Sequence, residues 1–120
     1  MSEWFKLTKK KFSKTDNEWQ WTYSCSFDFT FKKWTINEVT ITDHPWQKKG
    51  RQKITPELIL TILKEKVNGR NRMKPRKRYG IRDIYVSERT FYDGKKYRLI
   101  FWFKDNTDNH LWIRNCYPQD

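Results

Sequence analysis

The plainest pattern in the chain is strict alternation across residues 19–31. Trp19, Trp21, Tyr23, Cys25, Phe27, Phe29 and Phe31 take the odd positions, and Gln20, Thr22, Ser24, Ser26, Asp28 and Thr30 the even ones. Successive side chains of a strand point to opposite faces, so this period of two predicts a strand with one buried face. Such an aromatic row also has the chemistry to stack bases, as single-strand binders do; packing in a core is the simpler reading. Lys32-Lys33 interrupts the pattern, and residues 39–42 predict a second short strand. Asp43-His44-Pro45 ends it, because the residue before a proline is pushed out of helical geometry. Residues 1–18 are rich in lysine, with only Trp4, Phe5, Leu7 and Phe12 as anchors, and predict a short strand or a loose arm.

Helical periodicity appears once. Thr55-Pro56-Glu57 combines an N-cap, a proline at the first helical position and an acid near the positive end of the dipole. Leu58, Ile59, Ile62, Leu63, Lys66 and Val67 then recur at helical spacing, and Asn68-Gly69 supplies the stop. A helix over 55–67 with one apolar face should lie on a sheet. From Arg70 to Arg82 the chain is a basic connector, in which Pro75 and Gly80 argue against regular structure. The last third predicts an antiparallel meander, with strands over 84–92, 95–104 and 110–117. Asp93-Gly94 is the pair expected of a type I′ hairpin turn. Tyr97, Leu99, Phe101 and Phe103 share one face of the middle strand and Ile100 and Trp102 the other, which implies a central strand covered on both sides. The fold class expected is α+β: a twisted antiparallel sheet packed against one or two helices in a single domain.

Composition sharpens this picture. Aromatic residues make up 18% of the chain and alanine is absent, which suits sheets better than helical bundles. The longest apolar run, residues 99–103, is far short of the roughly 20 residues of a membrane helix. The first residues hold no signal-peptide core. Two cysteines, Cys25 and Cys116, do not make a disulfide framework, and reduced thiols in a cytoplasmic protein are expected. Two histidines and two cysteines without paired spacing argue against structural zinc, and no cofactor is expected. The net charge of +12 points to an anionic polymer as partner. Seven cations crowd the connector: Arg70, Arg72, Lys74, Arg76, Lys77, Arg78 and Arg82. With Lys49 and Lys53 before the helix, they form the expected RNA-binding set.

No phosphate loop, nucleophile elbow or carboxylate pair for a metal nuclease is present. Metal-free RNA cleavage asks for less. The 2′-hydroxyl is the nucleophile, and the protein supplies an acid, a base and cations for the charge growing on phosphate. His44, with Lys48, Lys49 and Arg51 just beyond it, is the best proton-transfer candidate; a structural role at the turn is the alternative. Arg89, Arg98 and Arg114 lie on three consecutive predicted strands and can converge on one face, as phosphate clamps or as ordinary cross-strand partners. Tyr92 and Tyr117 fall at strand ends. His110 opens a strand beside a polar turn and is expected at the surface.

The run Val39-Thr40-Ile41-Thr42-Asp43-His44, a basic stretch, and Ile54-Thr55-Pro56-Glu57-Leu58-Ile59 resemble the opening of BrnT-like toxins and their uncharacterised relatives. Tyr92-Asp93-Gly94-Lys95-Lys96-Tyr97-Arg98-Leu99-Ile100-Phe101 and Trp112-Ile113-Arg114-Asn115-Cys116-Tyr117-Pro118 are similar to that group's closing strands. The resemblance covers about residues 39–118 and leaves 1–38 as an N-terminal extension. It implies a RelE/barnase-like fold and a metal-independent endoribonuclease of a toxin–antitoxin or effector system, neutralised by an acidic antitoxin or immunity protein. By position it implies roles for His44, Lys48, Arg98 and Asn115, although Pro45 and the long connector depart from the pattern. A non-catalytic RNA- or DNA-binding module and a domain that binds an acidic protein are the other readings.

Overall fold

The computed structural model of the protein describes residues 4–47 and 54–119. Lys48, Lys49, Arg51 and Lys53 lie outside the described residues. The elements in chain order are β1 (Phe5–Ser13), β2 (Glu18–Cys25), β3 (Thr30–Phe31), β4 (Trp34–Thr35), β5 (Glu38–Thr42), α1 (His44–Gln47) and α2 (Pro56–Ile62). A π-helical turn, Leu63–Val67, continues α2, and β6 (Lys77–Tyr79), β7 (Arg82–Tyr92), β8 (Lys95–Phe103) and β9 (His110–Gln119) complete the chain. Seven strands make one sheet in the order β1-β2-β5-β9-β8-β7-β6, and β3-β4 is a separate hairpin. The class is α+β. The sheet is mixed rather than antiparallel throughout, because β5 and β9 run parallel with Glu38 level with His110 and Ile41 with Ile113. Parallel neighbours need a long connection, and α1, α2 and three strands lie between these two.

The N-terminal segment is an ordered edge strand. β1 pairs with β2 along its length, and its lysines protect an edge that would otherwise template aggregation. β2 stops at Cys25, short of the alternating row's end. Phe29 and Phe31 leave the sheet and are fully buried beneath the β3-β4 hairpin. That hairpin is tied to the turn after α2: the Thr30 amide donates to Asn68 Oδ1 at 2.9 Å and the Gly69 amide to the Thr30 carbonyl at 2.7 Å. Lys32 and Lys33, between the two short strands, have φ of 52° and 71°. Such values suit glycine or asparagine and are strained for lysine.

Thr55 caps α2, its Oγ1 accepting from the Leu58 amide at 3.1 Å, and Pro56 opens the first turn as expected. Ile59, Leu60, Ile62, Leu63 and Val67 are buried against the sheet, whereas Lys66 faces solvent. The wider π turn, closed by the Asn68 amide on the Leu63 carbonyl, shifts the apolar stripe off Lys66. Phe5, Tyr23, Phe29, Phe31 and Ile36 join residues 39–118 in one hydrophobic cluster. Burial pushes the Cys25 thiol up to about 12, with Glu38 adding to the shift, and Cys116 is buried in the core. Among the described residues no helix is long and apolar enough to cross a membrane.

The meander forms as expected, with Asp93 and Gly94 at φ of 50° and 77° as a type I′ turn requires. Part of the connector also joins the sheet, because Gly80, at φ 60°, turns β6 into a hairpin with β7 instead of breaking the structure. The expected covering of both faces of the middle strand does not form. The central strand is covered on one face only: Tyr97, Leu99 and Phe101 are buried, but Ile100 and Trp102 are half-buried. The helical layer and the β3-β4 hairpin lie on the first face.

Phe31 stands at the centre of the closed side, with ring centroids of Tyr85, Phe101 and Phe103 at 5.2, 5.4 and 5.9 Å. Phe31→Ala should cost about 3–5 kcal/mol in denaturant unfolding, whereas exposed Phe91→Ala should fall within about 0.5 kcal/mol. Replacing Lys32-Lys33 with Asn-Gly should raise stability by about 1–2 kcal/mol, measured the same way, by relieving the left-handed backbone.

Candidate nucleic-acid interface

Strand alternation assigns the residues of the open face. On β8 these are Lys96, Arg98, Ile100 and Trp102; on β7 Ile84, Val86 and Glu88; on β6 Lys77 and Tyr79. Trp112 of β9 lies directly opposite Trp102. Two bulges alter this pattern, each in the same way. In β7, Ser87 and Thr90 both face the core, where their hydroxyls meet at 2.8 Å, so Glu88 and Arg89 are thrown outward together. In β9, Ile113 and Cys116 are both buried and Arg114 and Asn115 project together. Bulges re-aim side chains in this way, often beside functional sites. Arg89 has φ 52°, and its amide donates to Gln119 Oε1 at 2.7 Å.

Around Trp102 and Trp112 the face forms two shallow pockets that share Arg82, Trp102 and Arg114. One, about 350 Å³, is lined by those three with Lys77, Tyr79, Ile84 and Ile100. The other, about 390 Å³, adds Asp16, Glu18 and Trp112. Arg82 lies over the Trp102 ring at 4.6 Å, held by two hydrogen bonds to Asp105 at 2.7 and 3.0 Å. This carboxylate is held below its usual range, first by the Arg82 hydrogen bond and also by its charge. Arg114 pairs with the buried Glu18 carboxylate at 3.1 Å, and Gln20 donates to the other oxygen at 3.2 Å.

A second cluster lies farther along β8, about 13 Å from Trp102 at roughly 3.3 Å per residue. Glu88 accepts from Arg76 at 2.8 Å and faces Arg98 Nε at 3.5 Å. Arg98 Nε is buried without a hydrogen-bond partner among the described residues, and its guanidinium lies 5.8 Å from the Tyr117 ring centre. The Arg76 hydrogen bond chiefly, then the charges of Arg76, Arg98 and Arg89, hold the Glu88 carboxyl below its usual range. The arrangement therefore sets the Glu88 carboxylate between two guanidinium groups, with Arg98 Nε shielded from solvent.

His110, expected at the surface, is buried. Its Nε2 lies 2.7 Å from Thr40 Oγ1, which meets Thr22 Oγ1 at 2.8 Å, while Nδ1 is 3.6 Å from Glu38. Burial lowers its pKa, with Glu38 opposing and Lys104 reinforcing the shift.

The sequence candidates divide among these places. Arg98 lies on the open face, and the bulges project Arg89 and Asn115 outward, the Asn115 side chain accepting from the Cys116 amide at 2.9 Å. His44 opens α1, directly after β5, and Trp46 of the same turn packs against Trp21 on the helix-covered side. The helical turn accepts Pro45 because an amide there has no helical partner to lose. The connector is split as well. Arg70 reaches Ser87 on the core side at 3.2 Å, with Arg72 and Lys74 following in an exposed loop, whereas Arg76, Lys77 and Arg82 serve the open face. Arg78 turns to the Gly80 carbonyl at 3.0 Å and Asp83 at 3.7 Å. Tyr92 packs on the core. Glu18, Glu88, Trp102 and Trp112 escaped sequence reasoning as site residues; the both-sided apolar pattern of the middle strand of the meander was the available signal for Trp102. Among the described residues no three His, Cys, Asp or Glu side chains gather to hold a metal ion. Comparison with protein families, curated proteins and solved structures finds no match.

Because folding favours the neutral His110 ring, the unfolded chain takes up its proton first, near pH 6.5. His110 therefore leaves stability untouched above that value and lowers it as pH falls from there toward the depressed folded value. Urea unfolding between pH 7.5 and 5 should show this loss, and His110→Gln should flatten the slope. An unchanged slope would assign it to other groups.

Proposed function

We propose that the protein acts on single-stranded RNA bound across the open face of its sheet. One observation carries this reading. A face left uncovered by the helical layer sets Trp102, Trp112 and Tyr79 among Lys77, Arg82 and Arg114. Exposed rings offer stacking surfaces for unpaired bases, and arginines and lysines beside them neutralise phosphates. The RelE/barnase-like arrangement implied by the sequence resemblance, helices on one side of a twisted sheet, would present such a face.

Metal-independent cleavage, the endoribonuclease reading, is favoured by the cluster of Glu88 between Arg76 and Arg98. In that reading Glu88 accepts the proton of the attacking 2′-hydroxyl, and Arg98, with Arg89, stabilises charge on the phosphate. The acid that protonates the leaving group is then Tyr117, whose ring centre lies 5.8 Å from the Arg98 guanidinium. An acidic antitoxin or immunity protein would neutralise the activity by occupying the same basic face.

Fluorescence anisotropy with a labelled single-stranded RNA should show affinity falling steeply with salt. Trp102→Ala should weaken binding by about 1–3 kcal/mol. RNA incubated in EDTA should be cleaved, with Glu88→Gln slowing the rate by about 10²–10⁴. Binding without cleavage leaves the non-catalytic module; binding only to an acidic protein overturns both.

A further inference from the structure

The sheet ends in two edge strands that differ in what they offer another chain. β6 is three residues long, and short edge strands are poor templates. β1 is nine residues long, and the row of amides and carbonyls that it turns away from β2 closes the sheet. Such a row pairs with an extended segment of another chain. A bulge at Thr8, whose hydroxyl donates to the Thr22 carbonyl at 3.1 Å, divides this edge. Beyond it residues 9–13 pair regularly with β2, a stretch close to the usual strand length of about 5–6 residues.

The side chains of that stretch decide which segment fits. Lys9 and Lys11 share one face with Thr22 and Gln20, and Lys10 and Phe12 share the other with Trp21 and Trp19. Phe12 and Trp19 meet edge to face at 5.4 Å, yet they stay 44% and 41% exposed. Among the described residues no acid forms an ion pair with Lys9, Lys10 or Lys11. A second copy of this chain would set lysine against lysine, and like charges directly opposite each other oppose pairing. RNA would satisfy the lysines but carries no alternating donors and acceptors to match the free backbone row. A strand with acids opposite Lys9 and Lys11 and an apolar residue opposite Phe12 meets the backbone and both faces at once.

We propose that β1 is a docking edge, where an acidic extended segment of a partner protein adds as an eighth strand of the sheet. β8 lies four strands away in the sheet order, roughly 19 Å at about 4.8 Å per strand. The added strand therefore leaves Glu88 and Arg98 uncovered, and the partner anchors the protein without closing that cluster. The inference stands apart from the RNA reading of the open face.

The test uses three labelled peptides with equal numbers of glutamate and valine. One alternates the two residues, one keeps them in separate halves, and one alternates but is N-methylated at its backbone amides. Anisotropy with the full protein should show the first binding roughly tenfold or more tightly than either of the others. Its binding should slow amide hydrogen exchange in residues 9–13. Exchanging both exposed lysines, Lys9→Glu and Lys11→Glu, should abolish binding, and an alternating lysine–valine peptide should bind that variant instead. Equal binding of all three peptides reports charge attraction alone and overturns the docking edge, as does binding of none. Slowed exchange of residues 9–13 by single-stranded RNA, or by rising protein concentration alone, assigns the edge to RNA or to a second copy and overturns it too.

Discussion

The molecule depends on closing one face of its sheet. The large rings, Phe29, Phe31, Tyr85 and Phe101, lie on the side that α2 and the β3-β4 hairpin cover. With 36% apolar residues and a long seven-stranded sheet, a second layer would need apolar surface that the chain does not have. The far face is shielded instead by its own cations. Arg82 lies across Trp102 and is pinned there by Asp105, so one guanidinium both covers an indole and presents charge to solvent. Shielding the rings and presenting positive charge are thus done by the same side chains.

The charge of +12 is not a single patch. The lysines of β1 guard an exposed sheet edge, and Lys10 lies over Trp19 and Trp21. Arg70 is spent on Ser87. Several cations of the open face are matched by acids: Arg76 by Glu88, Arg82 by Asp105 and Arg114 by Glu18. Pairing of this kind holds an arginine in place and lowers its net attraction for phosphate. A face built so favours directed contacts over unselective adhesion to anionic polymers.

Local patterns in the sequence mark much of the fold. The alternation up to Cys25, the Thr55 cap and the Asp93-Gly94 turn each depend on neighbours within a few residues. What stayed hidden depends on distant partners. His110 was expected at the surface because a polar turn precedes it; its burial comes from Thr40, 70 residues away across a parallel pairing. Phe29 and Phe31 continue the alternating row in sequence but leave the sheet because the closed face needs them. Glu18 has no local feature that marks it in the sequence, and it joins the lining of the open-face pocket only when β9 brings Arg114 beside it.

The two bulges have one more consequence. In β7 the ladder resumes in phase at Thr90, and in β9 at Asn115, so each strand keeps its core positions as if one residue had been added between them. Counted by the core alone, both are ordinary alternating strands carrying one supernumerary charged residue. At both points the added residue alters the open face while the packed face keeps its alternation. The sheet thus carries its packing on one side and a separately spaced row of polar side chains on the other.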